Sequence, residues 1–242
     1  MAQLTQKTIL ITGGTSRLGE AYVRAAKKAG ANIYFTYHSN QDKAKELQAL
    51  GAVGFSLDLS DMRAIDEFVA NFKTHTKRLD VLIHNAAAIR DRTLQNLTEE
   101  DWDYVMNVDL KAPYYLTKKL LSPLFKSEMG KIFFITSRAS VMAGFGISNY
   151  AAAKAGLVGL SKSLAQELGK KNILVNTVNP GFMISGMTQN LPQKILDYHS
   201  EISALSRHSS PDEVADFLVY LSSDAMTQAT GQMFHFESRK IN

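Results

Sequence analysis

Apolar and polar positions follow two rhythms along this chain. Short apolar runs rich in β-branched and aromatic residues recur at KTILIT (7–12), ANIYFTY (31–37), AVGFSL (52–57), LDVLIH (79–84), KIFFIT (131–136), ILVNTV (173–178) and GQMFHF (231–236). The early runs are nearly continuous in apolar character, as expected of parallel strands covered on both faces. Between them lie segments of helical period, among them EAYVRAAKKAG, which ends at Gly30, and DMRAIDEFVANFKTH. Thr98 with Glu100 and Asp101 predicts a helix start before the long stretch WDYVMNVDLKAPYYLTKKLL. Repeated strand–helix–strand units predict an α/β fold: a doubly wound parallel sheet of about seven strands with helices on both faces. No linker, repeat or low-complexity tract divides residues 1–242, so one domain is expected. The stretch from Ile184 to Ser210 is polar and weakly periodic. An insertion of this kind beyond the carboxyl end of a strand is expected to cover the ligand crevice.

Composition narrows the classes of function. Hydrophobic residues make up 45% and charged residues 21% of the 242, with a formal net charge of +4. Charges of both signs are interspersed, and no basic–aromatic platform is present, so a nucleic-acid partner is not expected. The absence of cysteine excludes disulfides, zinc–thiolate sites and thiol catalysis. The opening MAQLTQKTILIT is too short in apolar character for a signal peptide, and no segment has the length of a membrane span. A cytoplasmic protein without a membrane partner is expected.

The first strand runs into TGGTSRLG, Thr12 to Gly19, and then a helical pattern. Gly13 and Gly14 permit a tight turn, Thr15 and Ser16 supply hydroxyls, and Gly19 permits close packing of the helix. The amides and positive dipole of a helix N-terminus suit a pyrophosphate. At the end of the second strand an NAD-selective site usually carries an acid for the ribose 2′-hydroxyl. This chain has instead His38, Ser39 and Asn40, with no acid before Asp42. Those donors, helped by a nearby cation, favour a 2′-phosphate, hence NADP(H) over NAD(H).

Chemistry concentrates in SRASVMAGFGISNYAAAKAGLVGL, which begins at Ser137. Tyr150 and Lys154 are four apart in an Ala-rich helical pattern and so share a face. Free tyrosine, with a pKa near ~10, is a poor acid–base group at neutral pH. An adjacent ammonium stabilises its phenolate. Ser137, at the end of the KIFFIT run, is placed either to donate to a substrate carbonyl or to hold the tyrosine.

These motifs, together with Asp58–Leu59, HNAA (84–87), MNVDL around Asn107 and VNPG (178–181), resemble the short-chain dehydrogenase/reductase family across almost the whole chain. The resemblance implies a Rossmann-type fold, a nicotinamide cofactor and a homotetramer. It implies a catalytic set of Asn107, Ser137, Tyr150 and Lys154. Ser137 would polarise the carbonyl and Tyr150 would protonate the forming alkoxide. Lys154 would hold the nicotinamide ribose and keep the tyrosine acidic, while Asn107 would anchor a proton-relaying water chain. For the cofactor it implies Gly13, Thr15, Ser16, Arg17 and Leu18 of the loop, then Leu59, and Asp58 at the adenine amino group. Asn85, Ala86 and Ala87 would line the nucleotide, with Pro180 and Gly181 near the nicotinamide.

Three departures bear on the substrate. Arg17 replaces a loop glycine, His84 and Ala87 replace the outer residues of the family's N-N-A-G, and the chain ends in ESRKIN. Arg17 with TYHSN resembles pteridine reductases, whereas NYAAAKAGLVGL and VNPGFMISGMT more resemble 3-oxoacyl-carrier-protein reductases. The latter often carry arginine before the fifth strand for docking an acidic carrier protein. Here Glu128 stands near that place, and Lys171 near a second contact. The expected function is NADPH-dependent reduction of a carbonyl, with a 3-oxoacyl thioester or a pterin as substrate and a carrier protein as an open partner. A non-catalytic dinucleotide-binding regulator remains the reading from another class. Trp102 and Tyr104 read as packing residues, and His235 has no neighbours at metal-ligand spacing, so no metal is expected. Arg90 and Arg92, after HNAAA, read equally as a solvated loop or as contacts to an anionic substrate.

Overall fold

The computed structural model describes residues 2–142, 144–184, 188 and 191–238. Seven strands form one sheet: β1 (Thr8–Ile11), β2 (Asn32–Tyr37), β3 (Val53–Ser56), β4 (Val81–His84), β5 (Gly130–Ile135), β6 (Ile173–Asn179) and β7 (Met233–His235). Their spatial order is β3-β2-β1-β4-β5-β6-β7, and every pairing is parallel. The doubly wound architecture expected from the pattern is therefore present. The order reverses between β1 and β4, where an open α/β sheet leaves a crevice beyond its strand ends.

Eight α-helices accompany the sheet among the described residues: α1 (Arg17–Lys28), α2 (Gln41–Ala49), α3 (Met62–His75), α4 (Glu99–Met106), α5 (Ala112–Leu124), α6 (Ser148–Leu168), α7 (Gln193–Glu201) and α8 (Pro211–Ser222). The alternation of strand side chains divides the core into two layers. Ile9 and Ile11 of β1 pack with Tyr22 and Val23 of α1 and Leu218 of α8. Leu10 of the same strand packs with Phe68 and Phe72 of α3, Leu116 of α5 and Leu157 of α6. Burial of each such side chain contributes about 1.5–3 kcal/mol before entropy is counted.

Local signals set the helix ends. Thr98 caps α4 by accepting from the Asp101 amide, as its sequence position predicts. Ser210 and Glu213 form a reciprocal capping box on α8. The stretch expected as one long helix is instead α4 and α5 joined by a π-helical turn over Asn107–Lys111. Pro113, near the start of α5, supplies the reason. It has no amide hydrogen, and its ring would crowd the carbonyl of Asp109, so the helix widens by one residue there.

Of the expected cover at 184–210, residues 185–187, 189 and 190 lie outside the described residues, as does the end of the tail from Arg239. The described part contains α7, and Phe182 stacks on His199 with ring centroids 3.8 Å apart.

Candidate active site

A cleft of about 880 Å³ opens beyond the carboxyl ends of the central strands. One wall is the loop from β1 into α1. Gly13 adopts φ +67°, a conformation that favours glycine, and an added Cβ would stand 2.9 Å from the Ala86 Cα. At Gly19 a Cβ would fall 2.2 Å from the Gly13 carbonyl oxygen, so α1 is packed against its own entry loop. Ser16 caps α1 by accepting from the Gly19 amide at 3.1 Å. Asn85 stitches this loop to β4. Its amide nitrogen donates to the carbonyls of Thr12 and Gly13, each at 3.0 Å, and to the Ser16 hydroxyl at 3.1 Å. Thr12 Oγ1 accepts from the backbone amides of Asn85 and Ala86. Asn85 thus builds the loop as well as lining the cleft. Arg17, the first residue of α1, is exposed on the cleft wall and forms no ion pair among the described residues.

The far end of the cleft is polar. His38, Ser39 and Asn40 line it, and Asn40 caps α2 by accepting from the Lys43 amide at 3.1 Å. Lys43, not singled out by any motif, lines it too as the nearby cation, paired with Glu46 at 2.8 Å and Glu20 at 3.4 Å. Asp58 faces His38 at 3.8 Å and accepts from the Ser60 hydroxyl and amide. Burial opposes its charge, but these Ser60 bonds, with His38, hold its carboxyl below the usual range. Leu59, Ala86 and Ala87 complete this side, and Pro180 and Gly181 follow β6 at the other.

Ser137, Tyr150 and Lys154 line the same cleft. Ser137 follows β5 and caps a short 3-10 turn, its hydroxyl accepting from the Ala139 amide at 3.3 Å. Tyr150 is half-buried in the first turn of α6. Lys154, one turn on, has its ammonium 5.4 Å from the Tyr150 ring centroid and donates to the Ile135 carbonyl at 3.3 Å.

Two expectations change here. Asn107 does not line the cleft. The residue that reaches Lys154 is Asp109, two positions on and nearly half a helical turn around, whose carboxylate lies 3.1 Å from the ammonium. Asp109 is fully buried and also accepts from the Ala88 amide at 2.7 Å. Burial works against the Lys154 ammonium, but Asp109 and Tyr150 outweigh it and hold that group above the usual lysine range. Burial pushes the Asp109 carboxyl up, opposed by Lys154 and the Ala88 amide. Tyr104 is the second change: it lines the cleft, with the Arg90 guanidinium 4.7 Å from its ring centroid, so it is more than packing. Arg90 is further held by Asp101 at 3.7 Å, which ties it to α4.

His84 has a structural setting. It is buried, stacks on Phe134 at 4.9 Å and pairs with the Thr117 hydroxyl at 2.8 Å. Desolvation, reinforced by the Lys154 charge, lowers its pKa to about 3. Among the described residues no cluster of three or more histidines and carboxylates has metal-binding geometry, and no helix is long and apolar enough to cross a membrane.

Comparison with known proteins agrees with this geometry. A family model described as "Enoyl-(Acyl carrier protein) reductase" matches residues 14–238. The "3-oxoacyl-[acyl-carrier-protein] reductase FabG" of Thermotoga maritima is 36% identical over 236 residues, covering 96% of each chain. Its namesake from Chlamydia trachomatis is 33% identical over 236 residues, covering 95% of each. Among solved structures, a Pseudomonas aeruginosa RhlG/NADP active-site complex superposes with a TM-score of 0.90 at 26% identity, covering 98% of this chain and 96% of that one. The chain belongs to the short-chain dehydrogenase/reductase family of NAD(P)-dependent oxidoreductases.

Proposed function

We propose that this protein reduces a 3-oxoacyl thioester to the 3-hydroxyacyl thioester with NADPH. The observation that carries the reading is a single cleft lined both by the glycine loop at the start of α1 and by Ser137, Tyr150 and Lys154. The Gly13 and Gly19 positions, where a Cβ would collide with backbone, keep this loop packed tightly on β4 and α1, and the N-terminal amides of α1 suit a pyrophosphate. His38, Ser39, the N-terminus of α2 and Lys43, with no carboxylate at the end of β2, suit a 2′-phosphate. Bound NADPH supplies the hydride.

The protein's residues orient the carbonyl and move a proton. The Ser137 hydroxyl donates to the substrate oxygen as negative charge grows there. Tyr150 gives its phenolic proton to that oxygen, and the Lys154 ammonium steadies the phenolate left behind. In this reading the whole chain is one domain, and the segment near 184–210, anchored by the Phe182–His199 stack, covers the bound substrate. The carrier-protein names of the relatives support a thioester substrate presented on a carrier. A homotetramer is the expected assembly.

A second reading, reduction of a pterin, is favoured by Arg17, exposed on the cleft wall without an ion partner among the described residues. Both are tested by mixing the protein with NADPH and a panel of 3-oxoacyl thioesters, simple ketones and pterins while following nicotinamide absorbance. Preference for the thioesters supports the first reading, and preference for pterins the second. No oxidation of NADPH with any member of the panel overturns both.

A further inference from the structure

The Lys154 ammonium does not face Tyr150 alone. Its side chain is only 3% exposed, and a carboxylate that is fully buried lies 3.1 Å away. One oxygen of Asp109 is fixed by the Ala88 amide at 2.7 Å, on the strip that lines the cleft. Among the described residues the other oxygen meets the Lys154 ammonium as its ion-pair contact and has no further hydrogen-bond partner. The π-helical turn aims this side chain inward, between β4 and α6. Such a carboxylate cannot be incidental to the charge at the site, because a full charge buried without solvent acts over several ångströms.

Among the described residues the ionisable neighbours are few. Tyr150 lies on α6, and its ring centroid is 5.4 Å from the ammonium. His84 at the end of β4 stays neutral above about pH 3. Tyr104 of α4 lines the same cleft, while β5 offers the Ile135 carbonyl. Lys111, on the same turn as Asp109, is exposed.

We infer that Asp109 is a positioning residue that sets the proton balance of the Tyr150–Lys154 pair: as counter-ion it keeps the ammonium protonated and moderates its pull on the phenol, so that reduction continues to higher pH. This rests on the reading of Tyr150 as proton donor. Reduction needs a protonated Tyr150 and a protonated Lys154. Removing the Asp109 charge makes both groups release their protons more readily, so both effects move the high-pH limb of the rate in the same direction. A unit charge ~5 Å away at an effective dielectric of ~20 shifts a titration by about two pH units. A counter-charge just beyond it offsets roughly half of that, so the limb should fall by about one pH unit.

The test is the pH dependence of kcat for NADPH oxidation in the wild type, Asp109→Asn and Asp109→Glu, with whichever panel substrate turns over. Asn keeps the size and an acceptor for the Ala88 amide but not the charge. The expected result is a limb about one pH unit lower in Asp109→Asn, with Asp109→Glu returning it to the wild-type position at reduced kcat. A limb unmoved in a folded, NADPH-binding Asp109→Asn overturns the inference, even if kcat falls. Should Asp109→Asn fail to fold, Asp109→Ser, which also removes the charge, decides: a limb lowered by about one pH unit supports the inference, and an unmoved one overturns it. Tyr150→Phe runs alongside. Turnover surviving there would overturn the reading of Tyr150 itself, a result distinct from failure at Asp109.

Discussion

Replacing His84 by asparagine should remove a large part of the protein's sensitivity to acid. The folded chain holds this imidazole neutral down to about pH 3, because it is desolvated and lies near the Lys154 charge. In the unfolded chain it takes a proton near the model value of 6.5. Between those values the unfolded state binds one more proton than the folded state, so stability rises with pH. The contribution is complete above pH 6.5 and is lost progressively as pH falls toward 3. At about pH 5 the loss amounts to about 1.5 pH units, or roughly 2 kcal/mol. That is a large fraction of a total stability of order 5–15 kcal/mol. Asparagine is smaller and can still meet the Thr117 hydroxyl, now 2.8 Å from the ring nitrogen. Urea unfolding at about pH 7.5 and about pH 5 measures the effect, since every other titrating group is common to both proteins. The wild type should lose about 2 kcal/mol more than His84→Asn between the two pH values. Equal losses would refute the assignment of a buried neutral imidazole.

Two further substitutions test the frame around the site. Gly19→Ala puts a methyl 2.2 Å from the Gly13 carbonyl and 2.8 Å from the Gly14 Cα, both backbone atoms that cannot rotate away. NADPH affinity, read by fluorescence titration, should fall at least about 100-fold while the far-ultraviolet spectrum stays unchanged. Tyr22→Phe removes the 2.8 Å bond between α1 and Ser222 of α8, in a fully buried setting. Because Ser222 also donates to the Leu218 carbonyl at 2.7 Å, the loss in urea unfolding should be only about 1 kcal/mol.

The seven strands were legible because each is a short apolar run ending in polar residues, and a parallel sheet covered on both faces demands that pattern. The glycine loop and the Tyr150–Lys154 pair were legible for a related reason: each is local in sequence, within a single turn or one helical face. What escaped depends on distant residues. The Asp109–Lys154 ion pair joins positions 45 apart through a π-helical turn, whereas regular helical spacing gave no reason to prefer Asp109 over Asn107. The break itself was foreshadowed by Pro113 within the long helical stretch. Lys43 was hidden because it lies beyond the polar turn that drew attention, on the first turn of α2 that Asn40 caps. Tyr104 looked like packing because its cleft-facing position depends on how α4 meets the distant α6.

The proton-donor role of Tyr150 is tested most directly by single-turnover hydride consumption in Tyr150→Phe, with NADPH binding measured on the same sample. Tyr150 lines the cleft beside Ser137 and Lys154, and its hydroxyl is the only atom the substitution removes. NADPH affinity should stay within about twofold, while the rate of carbonyl reduction should fall at least about 100-fold. A variant that binds NADPH and reduces the substrate at the wild-type rate would contradict the mechanism.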